Sequence, residues 1–455
     1  MPKTLLSAVA LAAALLVSPA FAVQAAEPFA PAPVAVQQTG WWSMLGDAQL
    51  SALVERGLAA NLDVAQAQAR IAQSRALLAG ARAALGPSGS VGLQARAAQA
   101  SESEAPGMGR AQRRGDSVGA LLEFSWEADL FGRQRDQAGA ASERVRSSQA
   151  QLDAVRLAVA GEIAHAYFSL IGAREQLQLA RTVHANRVQT LGLVRTRLAA
   201  GLARPLDEAR AAAESEAAQA EIPGHEAEER VALHRIAVLT GTSPTGFELR
   251  TPDRQPASMM ALRIPDGAQW LAHRPDIRQL ESELRARALD VSALRAEFYP
   301  RLTITGVLGF IAGSFTGLGS GGSLSWLGSP SLFAPLFDRP RIQARLDAAT
   351  AGQKEVLAAY EQRLLLATEE VANAMARHDA GQRQLQALHR QAAHATDAER
   401  LAGARYRGGA SDLLELLDAQ RTARQAQRAL AEALMLQRQH FVAVLKGLGG
   451  ITPLG

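Results

Sequence analysis

The stretch PRLTITGVLGFIAGSF, residues 300–315, differs in composition and pattern from the chain around it. Alanine, arginine, leucine and glutamate, which favour helices, dominate the long segments on either side. Within the stretch the residues alternate between two faces: Leu302, Ile304, Leu308 and Phe310 on one, and Arg301, Thr303, Thr305 and Gly309 on the other. This period of two predicts a β-strand with one apolar and one more polar face.

Three further segments show the same alternation, so the sequence predicts four strands in two pairs. Their predicted bounds are 88–100, 116–128, 301–313 and 321–333. Each has roughly the ten residues that a tilted strand needs to cross a bilayer. A soluble sandwich would show the same alternation, but the long flanking helices offer no sheet to cover the apolar faces. We therefore expect membrane strands, with the polar or glycine-rich connections 99–117 and 314–322 facing outside.

Four strands cannot close into a barrel, because the smaller bacterial barrels begin at about eight strands. An open edge in lipid would leave backbone groups without hydrogen bonds, at a cost of several kcal/mol each. The sequence therefore predicts that at least two chains combine, and three chains would give twelve strands around a lumen wide enough for a pore.

The N-terminal segment MPKTLLSAVALAAALLVSPAFA (1–22) has the pattern of a secretory signal peptide, with cleavage expected after Ala22 and with Ala25 or Ala26 as alternatives. Its apolar run is shorter than the ~20 residues of a transmembrane helix, so we expect an exported protein. The chain has no cysteine, and therefore neither a disulfide nor a cysteine for lipidation. The net charge is only +4, with arginines interleaved with acids, which favours solvated helix faces over a nucleic-acid surface.

An internal repeat organises the rest of the chain. LFGRQR (130–135) corresponds to LFDRPR (336–341). RLAAGLARPLDEAR (197–210) corresponds in the same way to RYRGGASDLLELLD (405–418). The chain therefore consists of two similar halves.

Each half is predicted to contain a helix, two strands, a very long helix and a return helix. The halves, 48–240 and 270–447, are joined by the proline- and glycine-rich connector 241–269. The predicted long and return helices are 133–200 and 205–240 in the first half, and 340–407 and 411–447 in the second. A helix of about 65 residues is roughly 100 Å long, and it must pack against equally long neighbours.

Four segments resemble the outer-membrane efflux proteins of the TolC-like family, and in particular the NodT-type branch that serves RND-type pumps. They are WWSMLGDAQLSALVERGLAANLDVAQA (41–67), FSWEADLFGRQR (124–135), HRPDIRQLESELRAR (273–287) and ARYRGGASDLLELLDAQRTARQAQ (404–427). The resemblance implies an α+β, mainly α fold with a two-fold internal repeat. It implies a trimer that forms a 12-stranded outer-membrane β-barrel, continued by a long periplasmic α-helical barrel with the connector in a belt around its middle.

The function that this resemblance implies is that of the outer-membrane channel of a tripartite efflux system in a Gram-negative bacterium. Its partners would be an inner-membrane RND-type pump and a periplasmic adaptor (membrane fusion) protein, and drugs or other small toxic compounds would pass through it passively. No metalloprotease, nucleophile-elbow or phosphate-loop motif points to an enzyme, a metal or a cofactor. An exported trimeric coiled-coil adhesin and a periplasmic adaptor protein remain as alternatives.

Glycines mark the turns that end the two longest helices. Gly201 lies in the first turn, and Gly408 and Gly409 lie in the second. Small residues let another helical hairpin approach closely, and the resemblance makes this tip the docking site for the adaptor. The alternative is that these glycines simply cap the helices.

The segment DLLELLDAQ (412–420) carries a candidate pore gate. Leu414, Glu415 and Asp418 are three and four residues apart, so they share one stretch of helix surface. In a trimer the two acids would give six carboxylates near the axis, although Glu415 also has the spacing of a capping box with residue 412. The resemblance implies a constriction at Leu414 and Asp418.

The resemblance also implies links that hold this constriction closed. Tyr406 and Asp207 fit the linking positions, and Asp207 could add three carboxylates to the ring. An arginine that helps to lock some members of the family is replaced here by Ser411. We therefore expect a mostly closed, cation-preferring pore without that particular arginine lock.

Overall fold

The computed structural model of the chain describes residues 40–250 and 269–450. The predicted signal peptide (1–22) and residues 251–268 of the predicted connector lie outside the described residues. The described part begins with a short 3₁₀ helix, Trp41–Leu45.

Both halves of the chain contain the same elements in the same order. The first half comprises α1 (Ala48–Ala60), α2 (Leu62–Ala83), β1 (Ser88–Gln99), β2 (Arg114–Ala128), α3 (Arg133–Ala199) and α4 (Pro205–Leu239). The second comprises a one-turn helix (Gln269–His273), α5 (Pro275–Ala296), β3 (Arg301–Ala312), β4 (Leu324–Phe333), α6 (Arg339–Arg407) and α7 (Leu413–Gly447). Helices α2, α3 and α4 therefore have α5, α6 and α7 as their counterparts.

Three element starts differ from the predicted ones by more than one residue. Strand β4 begins at Leu324 rather than at 321, because Gly321–Ser323 forms a 3₁₀ turn after the left-handed Gly319 (φ 88°). Helix α7 begins at Leu413 rather than at 411, because Asp412 is its N-cap. Strand β2 starts two residues early, at Arg114, where it still pairs with β1.

The four strands form one antiparallel sheet in the order β1–β2–β3–β4, and the central β2–β3 pairing joins the two halves. The register of the sheet aligns apolar residues in rows across the four strands, for example Val91, Leu122, Leu308 and Trp326. The outermost members of that row, Val91 and Trp326, are 74% and 76% exposed. Another row, on the opposite face, consists of Ser88, Ser125, Thr305 and Ser329. One face of the sheet is thus apolar and uncovered, as a lipid-facing surface would be.

The long helices pack as two antiparallel hairpins, α3/α4 and α6/α7. Helix α3 has 67 residues, which corresponds to about 100 Å. An 18-residue window of α3 is apolar enough to cross a membrane by composition, but 56% of that window is buried against the rest of the chain. The largest apolar cluster lies where α3 meets α1, α4 and α7, and it includes the fully buried Tyr167, Phe168 and Phe441.

The residues that precede α2 and α5 each bind the end of the return helix in the same half through their side chains. Asn61 caps α2 and donates from Nδ2 to the carbonyl oxygen of Leu239 (3.1 Å) at the end of α4. Arg274, at the corresponding place before α5, donates from Nη1 to the carbonyl oxygen of Gly447 (2.8 Å) at the end of α7. The repeat seen in the sequence is therefore also a repeat of long-range contacts.

Candidate functional site

The turns that end α3 and α6 lie side by side and line one open groove with a volume of about 840 Å³. Gly201 and Gly409 adopt left-handed conformations (φ 72° and 75°), which glycine reaches without the steric cost that a Cβ adds. Gly408 instead remains right-handed (φ −76°) and caps α6. All three predicted docking residues line the groove, but only Gly201 and Gly409 need to be glycine for their backbone conformation.

An apolar cluster behind this groove holds the two hairpins together. It consists of Val194, Ala211, Ala402, Tyr406, Leu413, Leu416 and Leu417, from all four long helices. Tyr406 is only 4% exposed, and the guanidinium carbon of Arg197 lies 4.5 Å from the centre of its ring. This cation–π contact ties α3 to α6 at the tip.

Asp207 is bound within its own turn. The backbone N–H of Arg204 donates to Asp207 Oδ2 (3.1 Å), and Arg204 Nε lies 3.6 Å from the same oxygen. Tyr406 lines the same groove, but in the described part of the chain it makes no hydrogen bond to Asp207. The hydroxyl of Ser411 is buried there and has no hydrogen-bond partner among the described residues.

The three predicted gate residues lie on the exposed surface of the first turns of α7. The backbone N–H of Glu415 donates to Asp412 Oδ1 (2.9 Å), so Asp412 acts as the N-cap. The carboxylate of Glu415 lies 3.5 Å from Arg405, which offsets part of its charge. Within residues 40–250 and 269–450, no basic side chain forms such a pair with Asp418, so Asp418 is the less compensated of the two acids.

The structure also reveals a buried arginine near the tip that the sequence analysis missed. The side chain of Arg187 on α3 is only 2% exposed and contacts Gln420 of α7. A signal was present in the sequence, because Ala180, Arg187 and Val194 are seven residues apart and are all buried. An arginine at a position of the buried stripe indicates a polar contact between helices.

A second cluster that the sequence analysis missed lies at the opposite end of α7. Arg274 donates from Nη2 to Asp276 and to Glu370 (2.7 Å each), and Arg363 donates from Nε to Asp276 (2.7 Å). Burial favours the protonated form of the Asp276 carboxyl, but the hydrogen bonds from the two arginines outweigh it and lower its pKa to about 2. These ion pairs fasten the start of α5 to α6.

The family described as outer membrane efflux protein matches residues 53–242 and 268–450, one segment in each half. The chain belongs to this family. Outer membrane protein OprJ of Pseudomonas aeruginosa is 33% identical over 422 residues, covering 91% of this chain and 87% of that protein. Nodulation protein T of Rhizobium leguminosarum bv. trifolii is 28% identical, covering 92% and 89%. The solved structure of the outer-membrane channel OprN has 34% identity and a TM-score of 0.85, covering 90% and 92%.

Membership of this family establishes the general architecture and location of the protein. It is a mainly α, internally repeated protein whose trimer completes a twelve-stranded barrel in the outer membrane of a Gram-negative bacterium and extends into the periplasm. Its function is that of an outer-membrane efflux channel. Several relatives are named as outer-membrane channels or efflux pump outer membrane proteins, and the adhesin and adaptor alternatives are therefore set aside.

Proposed function

We propose that this channel is the exit duct of a tripartite efflux system that expels drugs or other small toxic compounds. An inner-membrane RND-type pump would supply the driving force, and a periplasmic adaptor would join pump and channel. Names of relatives such as "toluene efflux pump outer membrane protein" and "antibiotic efflux pump outer membrane protein" support the association with a pump. Because these names mention dissimilar compounds, we assign the choice of substrate mainly to the pump.

Deletion of the gene tests this role directly. Susceptibility to a panel of drugs and organic solvents should rise in the deletion strain. Deleting the cognate RND pump as well should cause no further increase, because both components act in one pathway. An additive effect of the two deletions would show that the channel does not serve that pump.

The observation that best supports adaptor docking is that the two glycine turns share one open groove. Among the described residues, a Cβ at Gly201 would meet no atom within 4 Å, and one at Gly408 would meet only two carbonyl oxygens, at 3.5 and 3.6 Å. The groove therefore has room at its surface for the tip of another helical hairpin.

Gly408→Leu is the sharper docking test, because Gly408 has an ordinary right-handed backbone and the substitution adds bulk without backbone strain. Cross-linking of the trimer to the adaptor should be lost, while the trimer remains intact. Gly192→Leu is the matched control, since Gly192 lies on exposed α3 surface near the tip and also has open space around it. Equal cross-linking in both variants would contradict docking at this groove.

We further propose that Leu414, Glu415 and Asp418 form the constriction of a mostly closed, cation-preferring pore, with Tyr406 and Asp207 in supporting positions. Three copies of Glu415 and Asp418 would bring six carboxylates together, and Asp207 would add three. Such a ring repels itself and attracts cations. Because Arg405 offsets Glu415, Asp418 should contribute more to cation selectivity.

Single-channel recordings in planar bilayers test the gate. The double variant Glu415→Ala, Asp418→Ala should show higher conductance or weaker cation selectivity than the wild type. Asp397→Ala, which removes an exposed acid of α6 that is paired with Arg400, should leave both unchanged. If the double variant also keeps wild-type values, the acidic ring is not the gate.

A further inference from the structure

The buried Arg187 connects three of the four long helices about three turns from the tip. Its Nη1 donates to Oε1 of Gln420 on α7, and its Nη2 lies 3.5 Å from a carboxylate oxygen of Glu214 on α4. Its side chain is almost completely removed from water, at 2% exposure. Arg187 is thus a charged contact between the α3/α4 hairpin and the α6/α7 hairpin.

Both the oxygen and the nitrogen of the Gln420 side-chain amide form hydrogen bonds with α3. Besides accepting from Arg187, Gln420 donates from Nε2 to Oγ1 of Thr190 (3.3 Å), one turn further along α3. Gln420 follows Asp418 by two residues and therefore lies on the same turn of α7. We name the contacts of Arg187, Gln420 and Thr190 the Gln420 clamp; it fixes the position of the proposed constriction relative to α3.

The charge in the Gln420 clamp is incompletely compensated. Nη2 of Arg187 has no hydrogen bond among the described residues, and the main acceptor, Gln420, is a neutral amide. Burial lowers the pKa of Arg187, against the opposite effects of Glu214 on α4 and Glu399 on α6. When the two hairpins separate, water can hydrate the guanidinium of Arg187, which lowers the free energy of the separated state. An apolar contact has no such gain, because its separation only exposes apolar surface to water. The hydration that Arg187 gains on opening therefore offsets part of the free energy that breaking the clamp costs.

We propose that the Gln420 clamp is a releasable latch that holds the constriction segment of α7 against α3 in the closed pore. In this proposal Arg187 and Gln420 are positioning residues, and opening requires the α6/α7 hairpin to separate from α3 at this point. The proposal rests on the proposed gate, because it explains how the gate is kept closed.

Gln420→Leu tests the latch, because it removes both hydrogen bonds while retaining a side chain of similar size. The ratio of open to closed pore should rise roughly tenfold or more, as expected for loss of a hydrogen bond to a charged group. Gln427→Leu is the matched control: Gln427 also lies on α7, but its amide donates to Thr396 of α6, within the same hairpin (3.1 Å). Single-channel recording should show wild-type behaviour for this control.

Gln420→Glu should act in the opposite direction, because Arg187 is already buried opposite a neutral amide, and a carboxylate at this position would compensate its charge. Open events should become rarer than in the wild type. This variant also decides the question if Gln420→Leu fails to assemble as a trimer. A role in folding alone would not predict opposite effects on opening by the two substitutions.

The outcomes separate the latch from the gate. If Gln420→Leu and Gln420→Glu both conduct like the wild type while the Glu415, Asp418 double variant does not, the latch is wrong and the gate stands. If the double variant also conducts like the wild type, the gate fails, and the latch fails with it. If Gln427→Leu matches Gln420→Leu, the effect is not specific to the contact with α3, which overturns the latch.

Discussion

Asp276→Asn is expected to lower the stability of the folded protein at neutral pH but to have a much smaller effect in acid. The carboxylate of Asp276 accepts hydrogen bonds from Arg274 and Arg363, and Arg274 is only 5% exposed. Arg274 also binds the carbonyl oxygen of Gly447, so the ion pairs link α5 and α6 to the end of α7. Asparagine has nearly the same shape but cannot carry the negative charge that both arginines bind.

The pKa of Asp276 sets the size and the pH range of the effect. It is about 2 in the folded chain against an ordinary value of 3.8, which corresponds to about 2 kcal/mol of stability. Because the folded-state pKa is the lower one, this contribution is fully present above about pH 4. It is lost as the pH falls towards 2, where the folded carboxyl is also protonated. The asparagine variant lacks this titration altogether.

Urea denaturation of the detergent-solubilised protein, followed by circular dichroism at pH 6 and pH 2.5, measures the effect. The difference in unfolding free energy between wild type and Asp276→Asn should be about 2 kcal/mol or more at pH 6, and more than 1 kcal/mol smaller at pH 2.5. Asp397→Asn is the control, because Asp397 and Arg400 form an exposed pair (58% and 67%) of a kind that contributes little. A difference that stays constant with pH would refute the argument from the Asp276 charge.

The remaining predictions concern the sheet and the assembly. Leu122→Arg should destabilise the barrel in the membrane by roughly 2–4 kcal/mol if the residue lies near the bilayer midplane, or prevent its assembly. Ser125→Arg, on the opposite face, should assemble normally. The amount of trimer extracted from outer membranes compares the two variants. Gly306→Ala should lower the thermal stability of the barrel, because its Cβ would lie 2.0 Å from the ring of Phe124. Gly328→Ala should be neutral, because its Cβ would meet no atom within 4 Å in the part of the chain that the structure describes. Light scattering of the detergent-extracted protein should give the mass of three chains. A monomeric species would contradict the argument that β1 and β4, the edge strands of the described sheet, pair with strands of other chains.

Local patterns in the sequence were sufficient to predict the strands and their faces. The alternation of Leu302, Ile304 and Leu308 requires only that neighbouring side chains of a strand point to opposite sides. The repeat of LFGRQR and LFDRPR likewise placed the starts of the two long helices, because similar sequences form similar local structure. The docking and gate residues, found from turn glycines and helix spacing, remain predictions.

The pairings between distant parts of the chain depended on the tertiary structure. The sequence could not show that β2 pairs with β3 across the two halves, because the strand propensity of a segment does not indicate which other strand it pairs with. It likewise could not show that Glu415 faces Arg405 whereas Asp418 has no such pair in the described part of the chain.

By itself the sequence determined that this protein has two similar halves, long helices and strands with an apolar face, because these properties follow from periodicity over a few turns or a few residues. Only the tertiary structure decided which polar side chains are buried together. Arg187 and Gln420 are 233 residues apart, and Arg274 and Gly447 are 173 apart, yet each pair forms a hydrogen bond. An arginine in a helical sequence is usually solvated. Only the packing of a second helix over it removes the water, so that its hydrogen bonds must then come from the few polar groups that remain nearby.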